Sequence, residues 1–228
     1  MATKDIKNVL VVGDLAGRYD ELMKLVAQTV AQYPNQLDAV VSVGDIIDRG
    51  PKSKELLELF MAGEHDGVTY LAIKGNHEDM MVHECRRSIK YPHRCWYGNG
   101  GTVTADQFTE GKVPKNIIEW ADSLPETLHL SSDGWPRDLL ISHAPPHNGN
   151  PDPDAQLCGN FWHRGYKDDV EEVAGSLLLF GHNAHWGAGA FANDKQEVFA
   201  YNLDGSAGRR VVGIHWPSGT IFSQEYLP

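Results

Sequence analysis

The sequence predicts an α/β fold, and three observations carry it. Apolar runs alternate with helix-like segments through the first third, each run is apolar at consecutive positions, and each ends on a polar residue that follows glycine. "NVLVVGD", residues 8–14, comes first, and after it Leu22, Leu25, Val26 and Val30 recur at helical spacing. "LDAVVSVGD" (37–45) precedes "KSKELLELFMA" (52–62), and "VTYLAIKGN" (68–76) precedes "HEDMMVHECRRSIK" (77–90). Strands that are apolar on both faces and separated by helices are expected to be parallel and buried between helical layers. Ligands collect at the carboxyl ends of such strands, where Asp14, Asp45 and Asn76 fall.

The middle of the chain, about 91–124, is less regular. It contains "WYGNGG" and a short helical pattern ending near "ADSLPE", and is expected to form a cap-like insertion. After "TLHLSS" and "DLLISHA" comes "PPHNGNPDPDAQLCGN", a loop by composition and longer than a connection requires. "SLLLFGH", "EVFAYNLDG", "RRVVGIHW" and "TIFSQEY" are strand-rich. With 228 residues, 41% of them apolar, the chain suits a single domain over 1–228.

A formal charge of −11 argues against binding nucleic acid by phosphate neutralisation. "MATKDIKNVLVVGD" has too few consecutive apolar residues for a signal-peptide core or a membrane span, so the expected location is cytoplasmic, without membrane association. Cys85, Cys95 and Cys158 form no CxxC pair and favour neither a disulfide framework nor a thiolate zinc site. "CGNFWHR" has the Cys-x5-Arg count of cysteine-dependent phosphatases. Its bulky Phe161, Trp162 and His163 do not suit a loop whose backbone amides must cradle phosphate.

The strand ends deliver "GDLAG", "GDIIDRG", "GNHED", "ISHAPP" and "FGHNAH". Taken singly, each also suits a helix cap or a structural histidine. The ordered set resembles the metallophosphoesterases of the phosphoprotein phosphatase family, nearest to its lambda-phage-type serine/threonine phosphatases. Supporting features are "WYGNGG" and a later W-x-R, Trp162 to Arg164. The resemblance implies a β-sandwich core of parallel and mixed sheets flanked by helices, with a small cap.

It also implies roles. Two divalent ions, Mn foremost with Fe or Zn as alternatives, would be bridged by Asp45 at a spacing of about 3.5 to 4 Å. Asp14 would complete the first ion, and Asn76, His143 and His182 the second. That mix of oxygen and imidazole ligands suits borderline metals. A hydroxide shared by the ions would attack phosphorus in line. Arg49, Arg164 and Asn76 would hold the phosphoryl oxygens. His77 would protonate the leaving oxygen, oriented by Asp48.

One departure stands out: Ala16 lies where the family carries a metal-ligating histidine. Either the histidine was deliberately replaced or a natural enzyme tolerates a weakened first site. The intact remainder favours replacement, and either way activity should be impaired. The implied reaction is hydrolysis of phosphoserine and phosphothreonine in proteins or peptides, with phosphotyrosine within reach. The alternatives are dinucleoside polyphosphate hydrolysis by the same architecture and a silent phospho-ligand binder. His185, just past the His182 motif, could touch substrate, and Trp96, Trp162 and Trp186 could line the cleft, although core packing is the commoner use of tryptophan; none of the four is assigned a site role.

Overall fold

The computed structural model describes residues 6–88, 90, 94–145 and 170–227. Two sheets form its centre. The first contains β1 (Val9–Val12), β2 (Ala39–Ser42), β3 (Glu64–His65), β4 (Val68–Ala72), β10 (Arg210–Trp216) and β11 (Thr220–Glu225), in the order β11-β10-β1-β2-β4-β3. The neighbours β1, β2 and β4 run parallel, as the alternation predicts. The second contains β5 (Thr127–Leu130), β6 (Asp138–Ser142), β7 (Ser176–Phe180), β8 (Gly189–Ala192) and β9 (Val198–Asn202), in the order β5-β6-β7-β9-β8, with β6, β7 and β9 parallel.

Consecutive apolar residues in β1 have a direct cause. Leu10 and Val12 pack with Leu22 and Leu25 of α1 (Tyr19–Gln32) and with Leu56 and Leu57 of α2 (Ser53–Ala62). Val9 and Val11 face the other way, against Ile141 of β6 and Leu177 and Leu179 of β7. Here the first expectation is corrected. Helices cover one face of the parallel strands, but a second sheet, not a second helical layer, covers the other. Each fully buried Val or Leu in these layers contributes about 1.5–3 kcal/mol relative to exposure. Leu10→Ala, at the centre of one layer, would cost about 2–5 kcal/mol.

Helix α1 departs from its sequence pattern at one position. Leu22, Leu25 and Val26 are buried, but Val30 is 40% exposed and Thr29 takes the inward place. Its hydroxyl, buried among apolar groups, is satisfied by donating to the Leu25 carbonyl at 2.9 Å.

Helix α3 (Asn76–Cys85) starts at the tip of β4. The segment from Arg94 onward carries a wide turn at Tyr97–Gly101, then α4 (Thr102–Ala105) and α5 (Lys115–Ser123). Ile117 and Ala121 of α5 join the apolar layer that contains Met80 and Met81 of α3. Among the described residues no helix is long and apolar enough to cross a membrane.

Candidate metal centre and active site

Both sheets present their parallel strand ends to one place. Asp14 follows β1, Asp45 follows β2, Asn76 begins α3 after β4, His143 follows β6 and His182 follows β7. Ligand atoms of Asp45, His143 and His182 lie within 4.8 Å of one another, and all three residues are buried. His143 Nε2 is 2.9 Å from Asn76 Oδ1 and 3.4 Å from Asp45 Oδ1. Asp14 Oδ1 accepts the backbone N–H of His182 at 3.1 Å, which ties the first strand end to the last.

The donor set fits divalent cations on two grounds. His143 Nδ1 faces the Val43 carbonyl at 2.9 Å and so carries the ring hydrogen. In the neutral ring Nε2 is then a lone pair directed at oxygens that are themselves acceptors. A cation among them resolves that opposition. The second ground is charge. Burial, followed by repulsion from Asp204 and Asp45, holds the Asp14 carboxyl well above its usual range, although its surface retains some solvent contact. Neighbouring carboxylates that cannot comfortably ionise together call for positive charge.

Close approach explains two of the motif glycines. A Cβ on Gly75 would lie 2.3 Å from Asp45 Oδ1, and one on Gly181 would lie 2.1 Å from Asp14 Oδ1. Any side chain there would occupy ligand space.

The loops are held in unusual backbone states. Ala16, Asp45, Asp48, Arg49 and His182 have φ of 43°, 49°, 76°, 61° and 66°. Such non-glycine residues cost about 1–3 kcal/mol each and persist only when their surroundings enforce them. At the Asp45 turn enforcement comes from Glu78, fully buried, whose carboxylate accepts the backbone N–H groups of Asp45, Ile46 and Gly75, each at 2.9 Å. The Ala16 loop is tied to the same turn: Ala16 N–H donates to Asp45 O and Gly17 N–H to Ile46 O, both at 2.8 Å.

Beside the ligands lies a relay. His77 Nδ1 is 2.6 Å from Asp48 Oδ2, and His77 Nε2 is 2.9 Å from the Arg49 guanidinium. Burial works against a charged His77, but Asp45 and Asp48 outweigh it and raise its pKa. Asp48 is fully buried and saturated with donors. Trp96 Nε1–H reaches both its oxygens, at 3.1 and 2.9 Å, and the Thr104 hydroxyl donates to Oδ1 at 2.7 Å. The "WYGNGG" segment thus supports the relay, and Gly100 O accepts the Arg49 N–H at 3.4 Å.

Of the residues read from sequence, the structure gathers Asp14, Asp45, Asp48, Arg49, Asn76, His77, His143 and His182. Arg164, Cys158 and Trp162 lie outside the described residues. Trp96 is in the interior rather than lining an open cleft, and Trp186 is 77% exposed. Two contributors carried no sequence assignment. Glu78 sits within the quoted "GNHED". Asp204, 3% exposed, whose negative charge helps to raise the Asp14 carboxyl, lies in "NLDG", an Asp-Gly pair after an apolar run that repeats the signal of the other strand ends in reverse order.

Strand-end carboxylates, imidazoles and an amide converging between two mixed sheets define a metal-dependent hydrolase. The chain belongs to the calcineurin-like phosphoesterase family, whose model matches residues 7–185. It is 39% identical over 98 residues to serine/threonine-protein phosphatase 1 of Salmonella typhimurium, covering 43% of this chain and 41% of that protein. It is 33% identical over 128 residues to serine/threonine-protein phosphatase 2 of Escherichia coli, covering 56% and 54%. A symmetrical bis(5'-nucleosyl)-tetraphosphatase of Vibrio cholerae is 39% identical over 69 residues, or 30% of this chain and 23% of that one. These alignments span about half or less of the curated relatives' lengths. Among solved structures, one described as a candidate diadenosine tetraphosphatase superposes with a TM-score of 0.63 at 18% identity, over 98% of this chain and 96% of that one.

Proposed function

We propose that the chain hydrolyses phosphomonoesters on proteins or peptides, phosphoserine and phosphothreonine foremost, with phosphotyrosine also accepted. The observation that carries this reading is the His77–Asp48–Arg49 relay standing against the Asp45–His143–His182 cluster. Divalent ions there supply Lewis-acid charge against the phosphoryl group and make hydroxide available near neutral pH.

Asp45, Asn76, His143 and His182 would hold one ion, and Asp14 with Asp45 the other. Ala16 offers the second of these no side-chain ligand. Arg49 is exposed, and its planar guanidinium can pivot from His77 Nε2 to two phosphoryl oxygens. Asn76 and, from outside the described residues, Arg164 would complete that grip. His77, freed at Nε2, donates its proton to the departing alcohol oxygen while Asp48 keeps the ring oriented and stabilises its charge. The names of the Salmonella and Escherichia relatives support a phosphoprotein substrate.

The Vibrio relative's name supports a second reading, hydrolysis of dinucleoside polyphosphates. Side-by-side assay of phosphoserine, phosphothreonine and phosphotyrosine peptides and diadenosine tetraphosphate, with Mn added and bound metal counted, separates them. Peptide turnover above dinucleotide turnover is expected; the reverse order overturns the first reading. Phosphopeptide binding without turnover, even in Ala16→His, overturns both.

A further inference from the structure

Behind the Asp48–His77 pair, between α3 and the chain from Cys95 to Ile118, lies a cavity of about 860 Å³. That is in the range of small-molecule sites, about 300–1,000 Å³. It does not open among the strand tips, and no role assigned so far uses it. Met80, Cys95, Trp96, Val113 and Ile118 supply apolar and aromatic walls. The Met80 and Cys95 sulfurs meet at 3.7 Å, a soft, adaptable surface.

The rim is charged. Arg87 is exposed there, and its guanidinium has no hydrogen-bond or ion-pair partner among the described residues. Lys112 is also on the rim, paired with Glu110 at 2.6 Å through side chains that are 77% and 72% exposed. A pair so open to solvent contributes little and is readily exchanged. Glu84 is the rim's negative group.

Trp96 joins this cavity to the chemistry. It is 1% exposed, forms part of the wall, and its indole N–H serves both Asp48 oxygens at 3.1 and 2.9 Å. Asp48 Oδ2 is also the atom that binds His77 Nδ1 at 2.6 Å. We propose that the cavity binds a small amphipathic anion, an aromatic body with one carboxylate or sulfonate, and that its occupancy is transmitted through Trp96 and Asp48 to His77. The body lies along the Val113–Ile118 wall and presses on the buried Trp96 side chain where it borders the cavity, and the anionic group meets Arg87. Tilting the indole weakens its bonds to Asp48, and the carboxylate then shifts against His77. The binding step stands apart from the phosphoester reading, and only its consequence for turnover rests on that reading.

The test uses 1-anilinonaphthalene-8-sulfonate and the full chain. Saturable fluorescence enhancement by one equivalent is expected. Arg87→Glu should weaken it at least about tenfold, and Ile118→Trp, which fills the cavity, should abolish it. Arg87 is a surface residue, so its variant remains informative if Ile118→Trp fails to fold. In parallel, the imidazole NMR resonance of His77, assigned by its loss in His77→Asn, should move as the wild type saturates and stay in place in Arg87→Glu at equal probe concentration. Absence of saturable binding, or binding unchanged by Arg87→Glu, overturns the site. Binding that follows the variants while the His77 resonance stays still overturns the coupling. Neither readout depends on the chain being active.

Discussion

Glu78 Oε2 accepts the backbone N–H of Asp45 at 2.9 Å, one of three backbone N–H bonds through which this carboxylate holds the turn that aims the central carboxylate of the site. Burial pushes Glu78 up to about 7, with Asp45 adding to the rise and the Gly75 N–H opposing it. Glu78→Ala would leave the N–H groups of Asp45, Ile46 and Gly75 buried without their acceptor, at about 1–3 kcal/mol each. A loss of about 3 kcal/mol or more, hence a Tm lower by at least about 6 °C, is expected in thermal unfolding with metal chelated. An unchanged Tm would show that the turn holds itself.

His77→Asn should lower kcat by about 10²–10⁴. The loss should be smaller for p-nitrophenyl phosphate, whose leaving group needs no proton, than for a phosphoserine peptide. Equal losses on both substrates would remove the proton-donor role. Asp48→Asn should follow the same leaving-group pattern, since Asp48 acts through the His77 ring.

Ala16→His would place an imidazole two residues from Asp14. Turnover with Mn should rise at least about tenfold, and the number of ions retained after gel filtration should rise with it. Identical stoichiometry and rate would show that this position is not part of the first ion's environment.

His215 provides a pH test at the opposite end of β1, where it pairs with Leu10. Its ring stacks on Tyr33 at 4.1 Å, and burial lowers its pKa. The unfolded chain, with a value near ~6.5, therefore takes up a proton at a higher pH than the folded one does. Stability contributed by neutral His215 is present above that value and lost as pH falls through and below it. Wild-type urea midpoints should drop more between pH 7.5 and pH 5 than those of His215→Gln. Parallel profiles would assign the acid loss to other groups.

Much of the site was legible because its signals are local. A Gly-Asp or Gly-Asn pair after an apolar run marks a strand end with a ligand, and Asp14, Asp45 and Asn76 could be read that way. His143 and His182 gained meaning only from their order. Trp96 was legible as an aromatic but not as the residue that holds Asp48, because the two are 48 positions apart and meet only when the Tyr97–Gly101 turn packs against the Asp48–Arg49 loop. Val30 shows a similar limit: helical spacing admits both it and Thr29, and only the packed structure turns Thr29 inward.

By itself the sequence determined that strands and helices alternate, that the strands are covered on both faces, and which residues stand at their ends. Those are properties of short segments, set by side-chain period and by glycine. The family resemblance already implied a sandwich and a shared ion site; only the tertiary structure decided which strands cover the second face, in what order and register, and that Glu78, Asp204 and Trp96 join the five strand ends. An apolar face requires cover but does not specify its partner; that choice belongs to long-range packing, where many weak contacts act together.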